Sequence, residues 1–181
     1  MAKKKVNYVN NADFLQAMIE YREAVREAEA NGKPRPIVPT YIGKCIMQIA
    51  NRLSTKPNFI NYSFREEMIS DGIENCLQYI DNFNPDKSNN PFAYFTQIIY
   101  FAFLRRIEKE KKNLYVRYKL TEEMSVLNQT ADRQDHDDGV DFNDGVKHNE
   151  WSQEYISNFI ESFEENKRRK IKKKQETAEW K

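Results

Sequence analysis

An all-α fold follows from three features of the 181-residue sequence. Only five glycines and six prolines are present, too few for the many turns of an all-β or α/β chain. Apolar residues recur at three- and four-residue intervals over long stretches. Helix start and stop signals bound those stretches. Charged residues make up 31% and hydrophobic residues 39%, so one modest core is expected, with extensions around it.

Residues 1–10 form a basic, Asn-rich lead. Asn11 is expected to cap a first helix that runs to about Ala30. Phe14, Met18, Tyr21, Val25 and Ala28 share one face, which Leu15 and Ile19 widen. Asn31-Gly32 stops it. Pro34, Pro36 and Pro39 then impose an extended connection. A second helix is expected over 40–54, with Ile42, Cys45, Ile46, Ile49, Ala50 and Leu53 as its apolar stripe.

Ser63 and Glu66 have the spacing of a capping box and predict the start of a third helix. Its inward residues are Ile69, Ile73, Cys76, Leu77, Ile80 and Phe83. Glu67, Asp71, Glu74 and Gln78 line another side. Asn84-Pro85-Asp86 ends the helix. Asn90 caps a fourth, with Pro91 at its first position, where a missing N–H costs nothing. Phe92, Phe95, Ile99, Ala102 and Phe103 suffice for a core face. Tyr94, Ile98, Phe101 and Leu104 lie roughly opposite, with Gln97 and Arg105 among them. A helix apolar on two sides is either sandwiched or keeps one side for a partner, and few other elements exist to cover it. Residues 114–127 extend the helical pattern. Residues 128–149 read as an acidic linker. A last amphipathic helix is expected from Glu150 to about Lys174, with Trp151, Tyr155, Ile156, Phe159, Ile160 and Phe163 as its stripe. The expected organisation is therefore a lead (1–10), a helical domain (11–127), a linker (128–149) and a C-terminal helix with a basic tail (150–181).

The formal net charge of +1 hides strong segregation. Residues 105–119 and 166–181 are strongly basic, and 132–150 are strongly acidic. Blocks of this kind steer partner choice more than the total does. Cys45 and Cys76 fall at apolar helix positions and read as buried thiols of a reducing compartment. His136 and His148 lie in the acidic linker. There, QDHDDGVDFNDG misses the ligand register of a calcium loop. Phosphate-loop, nucleophile-elbow and zinc-protease motifs are all missing. Neither an enzyme, a metal nor a cofactor is expected. The lead has no hydrophobic signal core, so a soluble, intracellular protein is expected.

Two clusters invite a functional reading. The stripe Glu67, Asp71, Glu74 is either a solvated face or a dock for a basic partner. The aromatics of the fourth helix, followed by Arg105, Arg106, Lys109, Lys111 and Lys112, are either core plus helix-dipole cations or a single-strand binding surface. In the latter, rings stack on bases and cations hold phosphates.

The order of these features resembles region 2 of bacterial sigma factors of the sigma-70 family. The residues that carry the likeness are Asp71-Gly72, Ile80-Asp81-Asn82-Phe83, a polar turn, Phe92-x-x-Phe95 and a basic end. YVNNADFLQAMIEYR, EEMISDGIE, NPFAYFTQ and AFLRRIEKEKK are similar to the late-transcription sigma factors of T-even-like phages. The likeness spans roughly residues 7–120.

That resemblance implies a subunit that binds host RNA polymerase core and melts a minus-ten-type late promoter in an infected bacterial cytoplasm. Glu67, Ser70, Asp71, Glu74 and Gln78 would then face the clamp coiled coil of the largest polymerase subunit. Phe95 falls at the principal stacking position. Ile98-Ile99 stands where typical sigma factors carry two tryptophans, so Tyr94, Tyr100, Phe101 or an aliphatic wedge would substitute. Gln97, Arg105, Arg106, Lys109 and Lys112 complete the implied DNA face. The phage proteins end in an acidic-hydrophobic segment for the sliding clamp. This chain ends basic, and its hydrophobic run is internal. Clamp or polymerase binding would therefore use Tyr155, Ile156, Phe159, Ile160 and Phe163, unless that helix packs back on the domain. A late co-activator is a further implied partner. The competing reading is a polymerase-binding regulator, a co-activator or anti-sigma protein, without promoter contact.

Overall fold

The computed structural model describes residues 8–131 and 150–179, with side chains at 125–131, 150–153, 174, 177 and 179 outside that description. The described residues are helical throughout their regular parts: α1 (Asn11–Ala30), α2 (Thr40–Ser54), α3 (Arg65–Gln78), a 3-10 turn (Ile80–Asn82), α4 (Pro91–Ala131) and α5 (Glu150–Glu179). The fold is all-α, as expected. None of these helices is long and apolar enough to cross a membrane. The basic lead up to residue 7, the acidic stretch 132–149 with both histidines, and the Trp151 side chain lie outside the described residues.

The chain forms two compact units, Met1–Glu108 and Lys109–Lys181. The division between these units falls inside α4. The first unit holds a core that runs from Val9 to Ile107 and draws on α1 to α4. Phe14, Phe83, Phe95 and Phe103 are among its largest fully buried side chains, with Met18, Ile42, Ile46, Ile49, Met68, Ile80 and Ile99. Phe14 stacks on Phe95 at 5.5 Å between ring centroids, and Phe59 meets Phe103 edge-on at 5.2 Å. Gly72 lets α3 approach α4 closely. A Cβ there would lie 3.0 Å from Ile99 Cγ2 and 3.2 Å from Phe103 Cε1.

Local chemistry places the helix starts with some corrections. Asn10, not Asn11, caps α1, accepting from the Ala12 N–H at 3.1 Å. Asn11 instead ties the start of α1 to the start of α4. Its side chain accepts from the Phe92 N–H at 3.2 Å and donates to the Asn89 carbonyl at the same distance. Asn90 caps α4 as expected, taking the Ala93 N–H at 3.0 Å. The Ser63–Glu66 capping box does not form. Phe64 occupies the cap position of α3 without a side-chain hydrogen bond, and Glu66 pairs with Arg65. Leu77, expected inside, is exposed, while Met68 and Gly72 are buried. The α3 helix stops at Gln78, and Ile80 and Phe83 reach the core from the 3-10 turn and the residue after it.

In the second unit, the later part of α4 pairs with α5. Tyr115 stacks on Phe163 at 4.5 Å, and Tyr118 meets Phe159 edge-on at 5.5 Å. The Tyr115 hydroxyl donates to Glu164 at 3.0 Å, which raises its pKa. Lys119 lies 3.7 Å from the same carboxylate.

Candidate polymerase and nucleic-acid interface

In the first unit, the sequence sets an acidic helix beside an aromatic one, and packing joins them along a polar seam. Three hydrogen-bonded groups of the described residues mark the seam. The Arg106 guanidinium donates from Nε and Nη2 to both oxygens of Asp71, at 2.6 and 2.8 Å. Arg105 Nη2 donates to Asn75 Oδ1 at 2.7 Å. The Tyr94 hydroxyl donates to the Tyr79 carbonyl at 2.9 Å. Burial raises the Tyr94 pKa, so the phenol stays a donor.

On the α3 side of this seam, Glu67, Ser70, Glu74 and Gln78 are exposed. Asp71 is not an open docking group. Its carboxylate is partly buried and held bidentately by Arg106, the tightest geometry available to that pair. The sequence reading gave these two residues to different partners, polymerase for Asp71 and DNA for Arg106. They bind each other because α3 and α4 meet at Gly72, one residue from Asp71. The reading missed Asn75, which orients Arg105, and the exposed Leu77 and Tyr79. No local pattern marks a pairing between residues 30 and 35 positions apart.

On the α4 side, the two expected faces separate cleanly. Phe95 and Ile99 are completely buried, so neither presents a face to a base. Phe95 packs against Phe14, Phe83 and Tyr94. Its expected role as the stacking aromatic is corrected to a core role. Helical spacing alone could not separate a core ring from a binding ring on a helix apolar on both sides. Tyr94 and Ile98 are half-buried. Gln97, Phe101, Leu104 and Arg105 are exposed. Phe101 is 47% accessible and Leu104 37%. At 100° per residue, positions 94, 97, 98, 101, 104 and 105 form one stripe, and its outer part is uncovered in this unit. Tyr100 sits at its edge against Phe59, with ring centroids 5.7 Å apart.

Lys109 and Lys112 belong to the second unit, where both are exposed. Of the candidate C-terminal residues, Ile160 is buried, Phe163 stacks on Tyr115 and Phe159 meets Tyr118 edge-on. They are packing residues of the second unit, the alternative that the sequence had left open. Tyr155 is 60% exposed and Ile156 is half-buried.

Among the described residues, no group of His, Cys, Asp and Glu side chains could hold a metal ion. An open groove of about 330 Å³ lies among Tyr8, Gln48, Asn51, Arg52 and Thr55. No protein-family model matches the chain, and no curated protein matches it.

Proposed function

We propose that this chain is a sigma-type initiation subunit. The outer face of α3, through Glu67, Ser70, Glu74 and Gln78, docks on host RNA polymerase core. The exposed stripe of α4, through Gln97, Ile98, Phe101, Leu104 and Arg105, receives bases from an opening A·T-rich minus-ten element. Weak pairing there makes opening less costly. The observation that carries this reading is a large aromatic, Phe101, left exposed between Gln97 and Arg105 on a helix whose other face already fills the core. Exposed rings beside a cation suit unpaired bases. The likeness of EEMISDGIE and NPFAYFTQ to the phage late sigma factors supports the same assignment.

Run-off transcription tests it, with bacterial core polymerase and a supercoiled template that carries a phage-type minus-ten element. The expected outcome is initiation at that element. Phe101→Ala should lower initiation by roughly tenfold, since stacking is worth about 1–3 kcal/mol per base. Glu74→Arg should weaken core binding. Both positions are exposed, so neither substitution removes a core contact. Asp71→Arg and Phe95→Ala are poor probes, because the first breaks the Arg106 clasp and the second empties the core.

The burial of Phe95 and Ile99 favours a second reading, a polymerase-binding regulator without promoter contact. Tight core binding without initiation would select it. No core binding at all would remove both readings.

A further inference from the structure

Beyond Phe163, α5 changes character. Every described side chain from 165 to 173 is exposed, as are those at 175, 176 and 178. Six of the seven residues at 167–173 are cations: Lys167, Arg168, Arg169, Lys170, Lys172 and Lys173. They surround the helix instead of marking one face, because consecutive residues are 100° apart. The helix dipole does not account for them, since the last turn of α5 holds no basic residue. Like charges also sit at helical neighbour spacings, for example Arg168 with Lys172 and Arg169 with Lys173, and such pairs oppose helix formation. Arg169 meets Glu165 at 2.6 Å in an exposed pair that exchanges cheaply for other anions, and the exposed Arg168 lies 3.5 Å from the half-buried Glu164, which Tyr115 and Lys119 also hold.

We propose that the basic half of α5 is a sequence-independent docking surface for the phosphate backbone of duplex DNA, acting without polymerase and independently of the initiation reading above. Charge density favours the duplex. Seven helical residues span about 10 Å and carry six positive charges. Duplex DNA carries one negative charge per about 1.7 Å of axis, so the same length presents about six phosphates. A membrane surface is disfavoured because this segment has no apolar face. Ile171 is its one large apolar side chain, and interfacial helices need a stripe. The near-neutral net charge of the chain is no obstacle, because charges beyond about 10 Å are screened in ordinary salt. The first half of α5 anchors the element through Phe159 and Phe163 on α4, and the exposed second half continues the same helix.

The test is fluorescence anisotropy with the full chain and a labelled duplex of about 20 base pairs that lacks any minus-ten element, between about 50 and 200 mM salt. The comparison is the quadruple variant Lys167→Gln, Arg168→Gln, Arg169→Gln, Lys172→Gln. Glutamine keeps helix propensity, and far-UV circular dichroism checks it. The wild type should bind with a steep salt dependence. The variant should lose about three to four units of the log–log salt slope and bind about tenfold or more weakly at low salt. Unchanged binding in the variant would overturn the proposal, as would no wild-type binding at low salt. Equal affinity for polyglutamate or for phosphatidylserine vesicles would overturn the duplex assignment. Failure of promoter initiation with duplex binding intact would count against the initiation reading only.

Discussion

Gly43 and Gly72 both lie inside helices, where glycine costs about 1 kcal/mol relative to alanine. Only Gly72 has a steric reason to be there. A Cβ at Gly43 meets nothing within 4 Å, whereas one at Gly72 presses on Ile99 and Phe103. Gly43→Ala is therefore expected to raise stability by up to about 1 kcal/mol, and Gly72→Val to lower it by about 1–3 kcal/mol through overpacking. Urea midpoints of the two variants check this. Cys76 makes a second residue-level prediction. Burial pushes its thiol from 9.0 to about 12. A raised acid pKa leaves stability intact below the unfolded value, near 9, and erodes it as pH climbs toward 12. Between pH 8 and 10 the loss from this group should be about 1.4 kcal/mol. Cys76→Ala should flatten that part of the pH profile, whatever it does to stability at pH 7.

At the scale of elements, the α3–α4 seam is the joint on which the candidate interface depends. The Asp71–Arg106 pair is largely shielded, with side-chain accessibilities of 28% and 18%. Removing Arg106 takes both guanidinium hydrogen bonds from the partly buried Asp71 carboxylate. A double-mutant cycle with Asp71→Asn and Arg106→Gln should give a coupling of about 1–2 kcal/mol by urea unfolding. A value near zero would mean that the seam does not hold the two helices together. The second unit has its own joint in Tyr115 and Phe163. The stripe at 155–163 was legible from spacing, but spacing could not say whether its rings face a partner or the neighbouring helix. The α4 tyrosines settle that at Phe159 and Phe163.

For the whole molecule, the division within α4 matters most. Every described residue of the first core lies between Val9 and Ile107, so fragment 1–108 contains all of these residues. It is expected to unfold as one cooperative transition, visible as coincident melting by circular dichroism and by tyrosine fluorescence. A broad, uncooperative melt would show that the core needs residues after Glu108. The charge segregation visible in the sequence acquires meaning at this scale as well. The acidic outer face of α3 falls in the first unit and the basic half of α5 in the second. Opposite charges thus sit on separate units even though the total charge is +1.

The sequence by itself determined the all-α class, the extents of α1 and α2, the Asn90–Pro91 start of α4 and the doubly apolar character of that helix. These depend on periodicity and on local capping chemistry, which act over a few residues. The tertiary structure alone decided which of two adequate faces of α4 is core. It put Phe95 and Ile99 inside, left Phe101 outside, and spent Asp71 on Arg106. It also placed the domain boundary within a continuous helix. Each of these outcomes depends on contacts between residues far apart in the chain. A helical pattern gives the angle between two faces but not which neighbour fills either one.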